Sequence, residues 1–168
     1  MKQFVKLYTR TFATLNNNKH SPNVLVLVAD GSEEIETVTI VDVLRRAGTL
    51  VELAKVDKEL HLPNNKPDAL TCTMSRGIKL VADSHFSQGH QMVEYDAVIL
   101  PGGLKGSQTF AEHPILVNML KHRVAEKKLV GAICASPATV LARHGLLMNV
   151  KEAVCHPSLL DTLESDVK

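Results

Sequence analysis

The sequence predicts an α/β domain with a mainly parallel sheet. From Asn23 onward, short runs rich in β-branched residues alternate with segments of helical periodicity, which is typical of βαβ units. The core must be aliphatic, because the 168 residues include no Trp, two Tyr and four Phe. This length is typical of one domain and is enough to bury a core.

The first predicted unit is a buried strand followed by a helix. Residues 23–28, Asn-Val-Leu-Val-Leu-Val, form an apolar run that suits a strand buried on both faces. Ser32 is placed to cap a helix that runs to Ala47, and Gly48 ends it. Three acidic residues favour the positive end of this helix's dipole, namely Glu33, Glu34 and Glu36.

The rest of the chain continues the alternation. Two short β segments at 70–73 and 78–81, joined by a turn at Arg76-Gly77, predict a small excursion from the sheet. The other predicted elements are strands at 50–54, 97–100 and 129–133, helices at 114–126 and 137–144, and a last strand at 151–156.

Residues 1–22 differ from the rest of the chain. They contain basic and hydroxylated residues and no acid, which is the bias of a mitochondrial presequence. A disordered basic tail fits the same composition. We therefore expect a basic N-terminal extension at 1–22, a folded domain at 23–168, and a cytoplasmic or mitochondrial location.

Composition argues against several classes of partner. The 19 Lys and Arg nearly balance the 18 Asp and Glu, so the net charge of +1 favours neither nucleic acid nor an anionic membrane. No apolar run approaches the roughly 20 residues of a membrane helix. The three cysteines lack CxxC spacing and a Cys/His ligand pattern, so neither a disulfide framework nor a metal site is predicted.

Three predicted strand ends contain residues suited to chemistry. Functional residues of an open α/β sheet lie at the carboxyl ends of its strands. These ends are the acidic segment 30–36, the turn Pro101-Gly102-Gly103, and the segment 131–137, Gly-Ala-Ile-Cys-Ala-Ser-Pro.

Cys134 occupies the position of a nucleophile elbow. It follows a buried strand and precedes a helix with Pro137 near its first turn, so a tight turn would lift the side chain above the sheet. The helix start predicts a lowered thiol pKa. The N–H groups of Gly103 and Ala135 could form an oxyanion hole. A cysteine at a strand end also fits a small buried hydrophobe, and the residues alone leave both interpretations open.

Four motifs follow one another along the chain: Asp30-Gly-Ser-Glu-Glu-Ile-Glu-Thr37, Asp42-Val-Leu-Arg-Arg-Ala-Gly48, Ile99-Leu-Pro-Gly-Gly103 and Ala132-Ile-Cys-Ala-Ser-Pro137. In this order they resemble the DJ-1/PfpI superfamily and its DJ-1 branch. The resemblance covers about residues 22–157. It implies a flavodoxin-like three-layer sandwich, in agreement with the alternating pattern.

The resemblance also implies roles for individual residues. Cys134 matches the family's oxidation-sensitive nucleophile, Glu36 the carboxyl group beside it, and His156 a histidine at the rim of the pocket. Gly103 and Ala135 match the backbone donors. Three further residues resemble the polar shell and dimer contacts of the pocket, namely Glu33, Arg46 and Arg76. Cys72 and Cys155 are interpreted as structural. The family is usually homodimeric, through a surface that includes the first helix.

Two departures from the family pattern stand out. Ser136 occupies a position where close relatives often have Gly. Family members also continue beyond His156-Pro157 with further strands and a closing helix, so we expect a chain that is incomplete at its C-terminus.

Three functions follow from the elbow and the resemblance. The first is a cofactor-independent glyoxalase or protein deglycase that acts on methylglyoxal and glycated adducts and protects against oxidative stress. The second is a non-enzymatic redox sensor or chaperone that depends on oxidation of Cys134. The third is a cysteine peptidase, which ranks lowest because those branches tend to place His after the nucleophile, where this chain has Ala135.

Overall fold

A computed structural model of the chain describes residues 21–58, 68–148 and 150–166. Its centre is a five-stranded sheet in the order β5-β2-β1-β6-β7, and every neighbouring pair is parallel. The strands are β1 (Asn23–Val28), β2 (Leu50–Lys55), β5 (Ser84–His85), β6 (Ala97–Leu100) and β7 (Leu129–Ala132). The predicted parallel α/β sheet is confirmed.

The excursion between β2 and β5 is a separate two-stranded antiparallel sheet. Its strands are β3 (Thr71–Thr73) and β4 (Lys79–Val81), as predicted. Its turn binds the start of the first helix, because the Ser75 N–H donates to the Ser32 carbonyl at 2.8 Å. The excursion therefore lies beside the chain segment that leads into that helix.

Helices cover both faces of the sheet and complete the three layers. The α-helices are α1 (Glu34–Arg46), α2 (Leu104–Glu112), α3 (Pro114–Ala125) and α4 (Leu160–Asp166). Shorter helical segments are the 3₁₀ turns Gln88–Met92 and Pro157–Leu159 and a π-helix at Pro137–Ala142. Among the described residues, no helix is both long and apolar enough to cross a bilayer.

Strand β1 shows how the sequence builds two cores. Its side chains alternate between the faces of the sheet. Leu25 and Leu27 pack into a core with α2, α3 and the π-helix, while Val24, Val26 and Val28 pack with α1 and the β3–β4 excursion. All five are at most 1% exposed, which explains why the run has no polar residue.

Three of the predicted helix and strand assignments are wrong. The cap of α1 is Glu33, whose carboxylate accepts from the Glu36 N–H, whereas the Ser32 hydroxyl accepts from Ala29 N–H at 3.0 Å. The predicted helix at 137–144 is a π-helix that ends at Ala142. The predicted strand at 151–156 is not a strand, because the His156 N–H donates to the Cys134 carbonyl and not to a ladder partner.

Most of the predicted N-terminal extension, residues 1–20, lies outside the described residues. Its proposed role as a presequence stays a prediction.

Candidate active site

Cys134 lies on the predicted sharp turn between β7 and the π-helix. Its φ of 60° is in the left-handed region, which costs a non-glycine residue roughly 1–2 kcal/mol. Main-chain hydrogen bonds on both sides hold the turn: Ile133 N–H donates to Leu100 O at 3.2 Å, and His156 N–H donates to Cys134 O at 2.7 Å. This strained conformation presents the half-buried thiol at the end of the sheet.

Glu36 brings a carboxyl group to the same point from the first turn of α1. Its Oε2 accepts from the Gly102 N–H at 2.6 Å. The Cys134 thiol lies on the other side of the same glycine, because a Cβ at Gly102 would be 2.7 Å from Glu36 Oε2 and 3.0 Å from Cys134 Sγ. Strand ends β6 and β7 and helix α1 thus place a thiol and a carboxylate in direct contact.

Gly102 permits that contact by having no side chain. A Cβ at this position would lie 2.5 Å from Cys134 Cβ and 2.7 Å from Glu36 Oε2. Both distances are far below van der Waals contact. The next residue, Gly103, has φ 85° and carries the N–H that approaches the sulfur.

Two backbone donors surround the sulfur. The N–H groups of Gly103 and Ala135 both act on Cys134, and each lowers the pKa of its thiol. These are the two amides that the sequence predicts as an oxyanion hole. Preorganised N–H donors of this kind stabilise negative charge that develops during a reaction.

The predicted lowering of the Cys134 thiol pKa is wrong. Burial raises the pKa, and the hydrogen bond and charge of the Glu36 carboxylate raise it further. The amides of Gly103 and Ala135 act in the opposite direction but do not prevail. The resting side chain is therefore a thiol that lies beside a carboxylate.

Glu33 ties α1 to the glycine turn. Its carboxylate accepts from the Glu36 N–H at 2.8 Å, and its own N–H donates to the Gly102 carbonyl at 3.1 Å. These contacts fix the position of Glu36 relative to the glycines. Glu33 therefore supports the site from the side of α1.

His156 reaches the elbow through its backbone. Its exposed ring bonds instead to Ser158, with Nδ1 2.9 Å from the hydroxyl and 3.3 Å from the N–H. The ring thus caps the 3₁₀ turn at Pro157–Leu159. A role for the imidazole in proton transfer stays a prediction.

The two predicted arginines lie at different distances from the site. Arg76 is in the β3–β4 turn, where its N–H donates to Glu34 Oε1 at 2.7 Å. Arg46 pairs with Asp42 at 2.8 Å near the far end of α1, ten residues or about 15 Å along the helix from Glu36. Arg46 does not belong to the shell around Cys134, and its role as a dimer contact stays a prediction.

Sequence reasoning named Glu34 and Ser136 but missed the contacts that each makes beside the site. Glu34 is buried and its carboxylate accepts from the Ser75 hydroxyl at 2.6 Å, which lowers its pKa. Ser136 is fully buried and its hydroxyl donates to the Pro101 carbonyl at 2.6 Å. Each lies next to a residue that the motifs identify, but its own partner is distant in sequence.

No group of three or more His, Cys, Asp or Glu side chains within residues 21–58, 68–148 and 150–166 is arranged to hold a metal ion. The chemistry available from the described site is that of the thiol, the carboxylate and the two amides.

A parallel α/β sandwich with a cysteine on a strained strand-to-helix turn, beside a carboxylate from the first helix, defines a class of flavodoxin-like α/β proteins. Within this class the chain belongs to the DJ-1/PfpI family, whose pattern matches residues 22–168.

Individual relatives agree with this assignment. Protein DJ-1 homolog B of Arabidopsis thaliana is 43% identical over 143 residues, which cover 85% of this chain and 30% of the plant protein. A Caenorhabditis elegans protein named glutathione-independent glyoxalase DJR-1.2 is 31% identical over 140 residues, covering 83% of this chain and 67% of the nematode protein. The solved structure of oxidized Toxoplasma gondii DJ-1 superposes with a TM-score of 0.74 at 38% identity, covering 88% of this chain and 74% of the other. The chain thus spans about a third of the plant relative's length.

Proposed function

We propose that the chain is a cofactor-independent glyoxalase that converts methylglyoxal and related reactive carbonyls through Cys134. One observation carries the proposal: the Cys134 thiol and the Glu36 carboxylate meet at Gly102, where a Cβ would lie 3.0 Å from Sγ and 2.7 Å from Oε2. This arrangement provides a nucleophile, a base and an oxyanion site at one point. The nematode relative named as a glyoxalase supports the same reaction class.

The first chemical step is addition to the aldehyde. As Cys134 Sγ forms a bond to the aldehyde carbon, its proton passes to the Glu36 carboxylate, which lies beside it at Gly102. The carbonyl π electrons move to oxygen. The N–H groups of Gly103 and Ala135 stabilise this oxyanion, and losing one donor of this kind typically costs about 2.7–4 kcal/mol in acyl-transfer enzymes. Proton return to the oxygen gives a hemithioacetal.

The second step is an isomerisation followed by hydrolysis. Glu36 takes the proton from the former aldehyde carbon, the hydroxyl proton on that carbon passes to the ketone oxygen, and a proton is returned to the ketone carbon. The hemithioacetal thereby becomes a lactoyl thioester of Cys134. Water then adds to the thioester and breaks the C–S bond, which releases lactate and restores the thiol. Deglycase activity on glycated adducts would use the same nucleophile and carboxylate.

The raised thiol pKa fits this sequence of steps. A thiolate formed in advance would need no base, whereas a protonated thiol beside a carboxylate delivers its proton at the moment of attack. The pair therefore acts as a nucleophile with its own general base.

The test is methylglyoxal consumption and lactate formation by three proteins: wild type, Cys134→Ala and Cys155→Ala. Cys155 is also half-buried and unpaired, so its variant is a matched thiol control. We expect loss of turnover in Cys134→Ala and wild-type turnover in Cys155→Ala. Turnover that persists in Cys134→Ala would exclude the mechanism.

A second candidate is redox sensing through the same cysteine. The two amides and Glu36 could hold the oxygens of a sulfinate, which forms when two peroxide molecules each transfer one oxygen to the sulfur and leave as water. The Toxoplasma relative was solved in an oxidized form. Intact-mass measurement after peroxide treatment tests this idea: gain of two oxygens at Cys134 before Cys155 supports it, and equal oxidation of both contradicts it.

Three broader expectations are carried forward as proposals. Residues 1–22 act as a basic extension or presequence, residues 23–168 form the functional domain, and the domain forms a homodimer. Sedimentation of the purified chain tests the last, and microscopy of a fusion with and without residues 1–22 tests the first.

A further inference from the structure

The β3–β4 excursion is joined to the start of α1 by a row of hydrogen bonds. On the main chain, the Gly31 N–H donates to the Thr73 carbonyl and the Ser75 N–H donates to the Ser32 carbonyl, both at 2.8 Å. The Thr73 N–H also donates to Asp30 Oδ1 at 2.8 Å. The turn of the excursion and the segment that leads into α1 therefore lie side by side and hold each other in place.

The side chain of Glu34 fastens the first turn of α1 to the same excursion. Glu34 is only 6% exposed. Its Oε2 accepts from the Ser75 hydroxyl at 2.6 Å, and its Oε1 accepts from the Arg76 N–H at 2.7 Å. Hydrogen bonds to a charged carboxylate are shorter and stronger than those between neutral groups. Both oxygens of a buried carboxylate are thus bound by one turn, which fixes the position of Glu34.

Glu34 and Glu36 hold the start of α1 from different sides. Residues two apart in an α-helix project roughly 200° apart around its axis, so these two side chains do not face each other. Glu34 reaches the excursion, whereas Glu36 Oε2 accepts from the Gly102 N–H at 2.6 Å beside Cys134. One helical turn therefore links the excursion to the active site. A movement of this turn at Glu34 would also move Glu36.

The Ser75 hydroxyl is the side-chain donor in this link. Its removal would take a short hydrogen bond from a buried carboxylate, and an unsatisfied buried charge is costly. The carboxylate would then turn towards water and displace the first turn of α1. We propose that Ser75 is a positioning residue that, through Glu34, holds this turn in register with the Cys134 site. The inference rests on the proposed function in that it treats Glu36 and Cys134 as the reacting pair, but one of its two tests is independent of turnover.

Ser84 provides a matched control. Its hydroxyl donates to Glu52 Oε1 at 2.6 Å, and this pair is partly buried like that of Ser75 and Glu34. The Ser84–Glu52 bond joins β5 to β2, whereas Cys134 follows β7 at the opposite edge of the sheet. Ser75→Ala and Ser84→Ala should therefore both lower the melting temperature, and only Ser75→Ala should change the active site.

The first test is the NMR resonance of the Gly102 amide proton, which reports the hydrogen bond to Glu36. We expect this resonance to move upfield in Ser75→Ala because the bond lengthens, and to stay in place in Ser84→Ala. Ser75→Thr, which keeps a hydroxyl, should return it towards the wild-type position. An unmoved resonance in Ser75→Ala, or an equal movement in Ser84→Ala, overturns the proposal.

Glu34→Gln serves if Ser75→Ala does not fold. This variant weakens the same hydrogen bond from its acceptor side, because the amide is neutral. The Gly102 resonance should again move upfield. A resonance that stays in place in Glu34→Gln overturns the proposal in the same way.

The second test is the consumption of methylglyoxal. A misplaced base slows the chemical step more than it weakens binding, so kcat should fall about three- to tenfold in Ser75→Ala while KM changes less than about twofold. Ser84→Ala should keep the wild-type kcat and KM, and Ser75→Thr should recover most of kcat. An equal loss of kcat in both alanine variants would show general destabilisation and contradict the proposal. Absence of turnover in the wild type alongside the expected Gly102 shift would refute the glyoxalase function and leave the role of Ser75 standing.

Discussion

Gly102→Ala isolates the contact between the thiol and the carboxylate, because it adds one methyl group where the two side chains meet. The new Cβ would lie 2.5 Å from Cys134 Cβ and 2.7 Å from Glu36 Oε2. Carbon atoms approach comfortably only to about 3.5 Å, so Cys134, Glu36 or both must move by about 1 Å. Cys134 is held by its flanking hydrogen bonds, which leaves Glu36 as the side chain that yields.

A displacement of that size should remove most of the activity. A misplacement of about 1 Å can cost about 10²-fold in rate, whereas overpacking at one position costs about 1–3 kcal/mol of stability. We therefore expect kcat/KM for methylglyoxal to fall about 100-fold in a protein that still folds. The hydrogen bond from the N–H of residue 102 to Glu36 should also be lost, and a shift of this amide resonance in the NMR spectrum would show it.

The control for this prediction is Gly89→Ala. A Cβ at Gly89 would have its nearest neighbour at 3.5 Å, the Ser87 hydroxyl, which is ordinary contact. Melting temperature and kcat/KM measured on both variants separate general destabilisation from local displacement. Wild-type kcat/KM in folded Gly102→Ala would refute the argument that close approach of Cys134 and Glu36 is required.

Two further predictions concern the carboxylates. In Glu36→Gln, kcat/KM for methylglyoxal should fall about 10²–10⁴-fold because the base is lost. Iodoacetamide alkylation of Cys134 at pH 7 should become faster, because the charge that raises the thiol pKa is gone. Slower alkylation would contradict this account. The pKa of Glu34 is lowered in the folded state, so ionised Glu34 stabilises the fold above its ordinary pKa of 4.5, and this effect is lost as the pH falls through the folded-state pKa. The melting temperature of Glu34→Gln should therefore lie below that of the wild type at pH 7 and approach it in acid. A difference in melting temperature that stays constant with pH would disprove this linkage.

The sheet could be predicted because its strands have strong local signals. The β1 run is apolar throughout, and both of its faces are covered. Helix α2 was missed because much of its packing depends on contacts distant in sequence, such as Gly106, which lies so close to Ser32 that a Cβ would be 2.5 Å from the Ser32 hydroxyl. Strand β5 has only two residues, too few for any periodicity.

The sharp turn at Cys134 could be predicted from the sequence, but the direction of its pKa shift could not. The strand-turn-helix pattern around Cys134 correctly indicates a sharp turn, because that geometry depends on neighbouring residues. The thiol pKa depends on burial and on Glu36, which lies 98 positions earlier in the chain. An argument from the helix start alone therefore gave the wrong direction. The His156 ring bonds to Ser158, two residues away, and its predicted role in proton transfer stays a prediction.

The direction of the Cys134 pKa shift also bears on the choice between the two candidate functions. Peroxide reacts with the thiolate, so a thiol kept protonated by burial and by Glu36 is slow to oxidise at neutral pH. Addition to an aldehyde is not slowed in the same way, because Glu36 can accept the thiol proton as the C–S bond forms. The same pair should therefore favour carbonyl substrates over peroxide, and Glu36→Gln should reverse that preference by freeing the thiolate while removing the base. If Glu36→Gln slows the peroxide reaction as much as the carbonyl reaction, Glu36 does not keep the thiol protonated.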